Sequence, residues 1–133
     1  MKKTTTNVYP KISEEDAIKM ILDEFPELSK EMNNEQGNFY YQIGSILGNF
    51  TQDAIDNGDK VKFKRICELF RKIFMNASSS VKNALYVSYL EDLNFQDGKK
   101  DRQWALAEMP KIMLEAYNEI MNYLENLFQK KIK

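Results

Sequence analysis

The stretch VKNALYVSYLEDL, residues 81–93, is the most uniformly apolar helical segment of this chain. Its apolar side chains leave little room for a polar helix face; they are Val81, Ala84, Leu85, Val87, Leu90 and Leu93. Tyr86 and Tyr89 lie between them. A helix that is apolar on most sides is usually buried among its neighbours. The stretch therefore predicts a central helix.

Four other segments predict amphipathic helices around this central one. Their apolar residues recur at the three- and four-residue spacing that places them on one helix face. The four apolar stripes run through residues 17–25, 39–54, 63–74 and 112–128. No segment alternates apolar and polar residues for long enough to predict a strand.

The helix ends are marked by capping residues and by residues that break helices. Ser13 is a good N-cap, and Pro26 is expected to end or break the first helix. The pair Asn57-Gly58 predicts a stop, after which Asp59 caps the next helix. Pro110 suits the first turn of the last helix.

These signals predict an all-α fold, either a compact bundle or a short stack of helical hairpins. We expect about five main helices plus one short helical segment around Trp104, which follows an exposed loop at residues 94–103. Residues 1–12 are predicted to be a flexible leader, and residues 13–133 a single helical domain. Gly44 and Gly48 lie near the stripe of the second helix, where they could let another helix approach closely.

Composition narrows the chemistry that the chain could perform. Its 133 residues include no histidine and one cysteine, Cys67, so neither a His/Cys zinc site nor a Ser-His-Asp or Cys-His catalytic unit can be built. Residues 53–59 superficially suggest a calcium loop, but Ile55 and Lys64 occupy positions where an EF-hand has ligands. We therefore expect no enzyme activity, no metal and no cofactor, although carboxylates, lysines and tyrosines could still serve acid–base chemistry.

The net charge of −1 conceals two segments of opposite sign. Residues 13–35 contain eight acids against two lysines, whereas residues 60–82 contain seven bases against one acid. These segments could be two solvated helix faces that attract each other within the fold. Alternatively, the acidic segment could remain free to meet a basic partner.

Several partners and locations are disfavoured by the same sequence. The near-neutral net charge is unlike that of most nucleic-acid-binding domains, and no stretch approaches the roughly 18 apolar residues of a membrane span. The positively charged amino terminus is not followed by an apolar run, so it does not look like a signal peptide. Together with the lone cysteine, this favours a reducing, cytoplasmic setting.

The central stretch also carries a resemblance. NALYVSYLEDLNF, residues 83–95, resembles the signature of an uncharacterised bacterial all-helical domain family of unknown function. Similar elements are FPEL at residues 25–28, the Gly58-Asp59 turn and Trp104-Ala105, in the same order over residues 15–127. The resemblance implies a small cytoplasmic bacterial protein that is not an enzyme. Small domains of this kind often accompany toxins and act as immunity proteins against them. This last implication is an association by protein class.

Two functional hypotheses follow. The first is a protein-interaction module, most concretely an immunity protein that neutralises a basic toxin domain through acidic contacts. Those contacts would come from Glu14, Glu15, Asp23, Glu24, Glu27 and Glu31. The second is a small-molecule-binding or enzymatic helical domain whose pocket would be lined by Tyr86, Tyr89, Glu91 and Tyr117.

Overall fold

A computed structural model describes residues 11–132 of the chain, with side chains through residue 130. The described part contains seven helices and no named strand, so the chain is an all-α bundle, as predicted. Residues 1–10, most of the predicted leader, lie outside the described residues. The helices are α1 Glu14–Glu24, α2 Ser29–Asn34, α3 Phe39–Asp56, α4 Lys60–Met75, α5 Ser79–Asp92, α6 Trp104–Glu108 and α7 Lys111–Ile132.

The predicted helix ends are confirmed by their hydrogen bonds. Ser13 Oγ accepts a hydrogen bond from the Asp16 amide at 3.1 Å, and Asp59 Oδ1 accepts one from the Lys62 amide at 3.1 Å. Gly58 adopts a φ of +65°, which favours glycine after a helix. The short helix α2 is an addition to the predicted set, because Pro26 begins a 3₁₀ turn that leads directly into it.

The central helix α5 is buried as predicted, but not around its whole circumference. Val81, Ala84, Leu85 and Leu90 are at most 1 % exposed. Val87, however, is 37 % exposed, and Tyr86 is only half-buried. The buried apolar residues therefore form one face of the helix, while a second face that includes Lys82, Asn83 and Val87 is exposed to solvent.

Helices α3 and α5 pack so closely that their backbones touch at Gly44. Each helix contains a π-helical segment, Gln42–Leu47 in α3 and Leu85–Tyr89 in α5, and the two segments contact each other. A Cβ atom on Gly44 would lie 2.7 Å from the backbone oxygen of Ser88. The expected close approach is thus confirmed at Gly44. At Gly48 the nearest atom to such a Cβ is 3.7 Å away, so no second helix approaches there.

A buried polar pair joins the same two helices. Thr51 Oγ1 donates a hydrogen bond to the Leu47 carbonyl at 2.8 Å and lies 2.8 Å from the Tyr89 hydroxyl. Since Thr51 has one hydroxyl proton, the Tyr89 hydroxyl donates to Thr51 Oγ1. Both residues are completely buried, so the pair satisfies two polar groups that water cannot reach.

The predicted exposed loop at residues 94–103 is fastened to the bundle. Arg102 Nε donates to Asp56 Oδ1 at 2.6 Å, and the Gln52 side chain bonds both backbone groups of Asn94. The ring of Phe95 is buried with its centroid 5.0 Å from that of Tyr117. The hydrogen bond from Arg102 keeps the pKa of the Asp56 carboxyl below its ordinary value, although partial burial opposes this.

We predict that Asp56→Asn reduces the dependence of stability on pH. Because the pKa of Asp56 is lower in the folded than in the unfolded chain, its contribution is full above the unfolded pKa and is lost as the pH falls through the folded pKa. The wild-type protein should therefore exceed the variant in free energy of unfolding at pH 7, and the difference should shrink toward pH 2.5. Urea unfolding at both pH values measures this. Asp53→Asn, at an exposed position of the same helix, is the control. Its difference from the wild type in free energy of unfolding should not shrink in this way between pH 7 and pH 2.5.

Candidate functional site

A groove of about 520 Å³ lies beside the first turns of α1. We call it the α1 groove. One wall is the start of α1, and the other is the turn that joins α2 to α3. Its lining residues are Ser13, Glu14, Glu15, Ile18, Gln36, Gly37, Phe39 and Gln42. The groove thus combines carboxylates, amides and two apolar side chains.

The local amino-acid sequence determines where the two walls of the α1 groove lie. Ser13 caps α1 and fixes where Glu14 and Glu15 begin the helix. On the opposite wall Gly37 adopts a φ of +88°, which L side chains rarely adopt. This turn places Phe39 and Gln42 of α3 across the groove from the start of α1.

The buried amide of Gln42 forms part of the groove. Only 5 % of this residue is exposed. Its Nε2 donates a hydrogen bond to the backbone oxygen of Met32 at 2.9 Å, which ties α3 to the end of α2. The same bond fixes the orientation of the amide, because a backbone oxygen only accepts.

The α1 end of the groove is negatively charged. Glu14, Glu15 and Asp16 all lie in the first turn of α1. The helix dipole places about half a positive elementary charge at this end, which three carboxylates outweigh. Glu14, which is half-buried, and Glu15, which is exposed, line the groove, while Asp16 is exposed beside it.

One of the six predicted acidic contacts is used inside the fold. Glu24 Oε2 accepts a hydrogen bond from Arg65 Nε at 2.9 Å, and Arg65 Nη2 donates to the Glu24 backbone oxygen at 2.9 Å. The Arg65 guanidinium also lies 4.7 Å from the ring centroid of Phe25. The acidic and basic segments therefore do attract each other, through this pair.

The other five predicted acids form no ion pair within residues 11–130. We call them the acidic surface: Glu14, Glu15, Asp23, Glu27 and Glu31. All are exposed except Glu14, which is half-buried. The basic segment is used more fully, since Lys64 and Arg71 pair with acids and other cations lie over aromatic rings. The pairs are Lys64–Glu108, Arg71–Glu68, Lys60–Trp104, Lys62–Phe50 and Lys82–Phe74.

The residues of the alternative pocket do not line either of the two cavities described within residues 11–130. Tyr89 is fully buried in the core, and burial raises its pKa. The Tyr86 hydroxyl donates to Glu119 at 2.7 Å; burial and then this bond raise the pKa of Tyr86 to about 12. Burial also raises the pKa of Tyr117, and Glu91 is half-buried. The raised pKa values keep these phenols neutral, and so poor bases, near pH 7.

Few groups among the described residues are suited to metal binding or to thiol chemistry. Among them no cluster of three or more His, Cys, Asp or Glu side chains is placed to hold a metal ion. Burial, followed by the charge of Glu108, raises the pKa of the Cys67 thiol to about 12. Because the thiolate is the nucleophilic form, this thiol is unreactive near neutral pH.

Of the eight residues that line the α1 groove, the sequence prediction included only Glu14 and Glu15 as contacts. Ile18 and Phe39 belong to apolar stripes, so they were assigned only to the core. Gln42 was not singled out, although it lies one turn after Phe39, on the buried side of α3. A lone amide at an apolar stripe position is the signal that could have indicated it.

Comparison with known proteins gives one match. The model of a family described as Domain of unknown function (DUF7674) matches residues 18–129, most of the chain. No curated protein and no solved structure matches. Within residues 11–132 no helix is both long and apolar enough to cross a membrane.

Proposed function

Because the chain belongs to the DUF7674 family, whose function is unknown, we propose a function from its surface: it is a non-enzymatic module that binds a basic protein partner. The observation that carries this proposal is the acidic surface. Five carboxylates of α1, α2 and the turn between them form no ion pair within residues 11–130. Of the seven cations of the basic segment, three form ion pairs and three lie over aromatic rings, whereas none of the five carboxylates of the acidic surface has an ion-pair partner among the described side chains.

Electrostatic complementarity is the mechanism of this binding. A surface of one sign attracts a partner of opposite sign before contact, which raises the association rate and makes it depend on salt. Four of the five contact acids lie on α1 and α2, and Glu27 lies in the short 3₁₀ turn between them. Little conformational ordering is then needed when the partner arrives.

In its most specific form, the proposal is that the chain is a cytoplasmic immunity protein which neutralises a basic toxin domain. The acidic surface supports this form because it complements a basic nuclease or similar toxin. The class association of small helical domains with toxins also supports it.

We predict that Asp23→Lys/Glu27→Lys/Glu31→Lys slows association with the partner by about tenfold or more at low salt. The variant should also show weaker salt dependence, because fewer opposite charges attract the two proteins. The partner is first identified by capture from the native host with the wild-type chain. Association rates are then measured by surface plasmon resonance at several salt concentrations.

Asp92→Lys/Glu115→Lys/Glu125→Lys is the matched control, with the same change in net charge at exposed positions on α5 and α7. If both triple variants slow association equally, net charge and not the acidic surface attracts the partner. If neither does, the acidic surface is not the interface. A single toxin-like partner supports the immunity form, whereas another basic protein supports only the broader module.

A further inference from the structure

We propose that the α1 groove holds one arginine side chain of the basic partner. This inference rests on the proposed function, since it names the group that one part of the acidic surface recognises. Two observations carry it independently: the carboxylates that line the groove, and a buried acceptor at Gln42.

The buried acceptor is Oε1 of Gln42. Its Nε2 must face the Met32 carbonyl, so Oε1 points away from that bond. Gln42 lines the groove, and no side-chain or backbone donor of residues 11–130 forms a hydrogen bond to this oxygen. A buried amide oxygen without a donor is unfavourable, so a ligand that offers an N–H is stabilised at this position.

The charge of the groove requires that this donor be a cation. Glu14 and Glu15 line the same groove, and each forms no ion pair within the described side chains. An anion would be repelled by both carboxylates, while a neutral amide would leave them without a counter-charge. A cationic donor satisfies the carboxylates and the buried amide oxygen together.

Arginine fits the groove better than a small cation. Its guanidinium presents five N–H donors in one plane and is weakly hydrated, which suits separate acceptors such as Gln42 and Glu14. Its methylene stem can lie along the apolar side chains of Ile18 and Phe39. The volume of about 520 Å³ also leaves room for backbone on either side of the side chain.

The test is titration of the full-length protein with the peptide Ac-Gly-Arg-Gly-NH₂, followed by NMR. We expect saturable shifts of the Gln42 side-chain amide and of the Gly37 backbone amide. The same peptide with citrulline, which has the shape of arginine without its charge, should bind about tenfold more weakly. Glu14→Gln/Glu15→Gln should weaken arginine binding to a similar extent.

Glu115→Gln/Glu125→Gln is the matched control, because it removes the same charge from exposed positions on α7. It should leave the affinity for the arginine peptide within about twofold of the wild type. Circular dichroism of each variant establishes that it is folded.

Three results would overturn the proposal. The first is equal binding of the arginine and citrulline peptides. The second is arginine binding that survives Glu14→Gln/Glu15→Gln. The third is the absence of shifts at Gln42, which would mean that water alone satisfies its oxygen.

These failures are distinct from failure of the proposed function. If the lysine variant of Asp23, Glu27 and Glu31 loses partner binding while the arginine peptide does not bind, the protein-binding module stands and the arginine site is wrong. If the peptide binds in the groove but that variant keeps full partner binding, the proposed interface is wrong and the groove is a cation site in its own right.

Discussion

Gly44→Ala is expected to lower the free energy of unfolding by about 2 kcal/mol. The added Cβ would lie 2.7 Å from the Ser88 backbone oxygen and 3.0 Å from its Cβ. Because the nearest atom is backbone, relief requires α3 and α5 to move apart rather than one side chain to rotate. Alanine favours a helix over glycine by up to about 1 kcal/mol, which offsets only part of this cost.

Gly48→Ala is the matched control for this prediction. It makes the same change one turn later in the same helix, where the nearest atom to the new Cβ is 3.7 Å away. We expect this variant to be unchanged or more stable by up to about 1 kcal/mol. Urea unfolding followed by circular dichroism measures both. Equal stability of the two variants would show that the α3–α5 contact at Ser88 is not close.

Thr51→Val is expected to lower the free energy of unfolding by about 2 kcal/mol, and Tyr89→Phe by about 1 kcal/mol. The two losses in free energy of unfolding differ because the variants leave different polar groups in the core. Valine removes the acceptor and leaves the Tyr89 hydroxyl in the core without a partner. Phenylalanine removes the donor, while Thr51 still donates to the Leu47 carbonyl.

The double variant Thr51→Val/Tyr89→Phe provides the decisive measurement. Once the tyrosine hydroxyl is absent, the valine leaves no unsatisfied hydroxyl, so the double variant should be about as stable as Tyr89→Phe alone. Chemical unfolding of all four proteins gives the coupling energy. Additive losses would show that the two hydroxyls do not form the bond at 2.8 Å.

The candidate site could be predicted only in part from the sequence. The excess of acids in residues 13–35 was visible as charge, and capping residues located the start of α1. That Glu24 binds Arg65 while Glu15 binds no cation within the described residues depends on which helices are adjacent in space. The role of Gln42 was hidden as well, because a groove between α1 and α3 exists only after both helices pack.

The π-helical segments are a part of the fold that the sequence likewise predicted only in part. Apolar spacing predicted helices at residues 39–54 and 81–93, because periodicity is a local property. It did not predict that each would contain a π-helical segment, Gln42–Leu47 and Leu85–Tyr89. Those segments lie where the two helices contact each other, so their geometry belongs to the pair rather than to either sequence.

From the sequence alone, six of the seven described helices, the N-caps Ser13 and Asp59 and the separation of negative and positive charge along the chain could be predicted. This is because helical periodicity, N-capping and charge depend on residues within a few positions of one another. The tertiary structure alone decided which acid is neutralised by Arg65, which glycine contacts Ser88 and where a buried amide meets two carboxylates. These features depend on contacts between residues that are distant in the chain, and only packing brings those residues together.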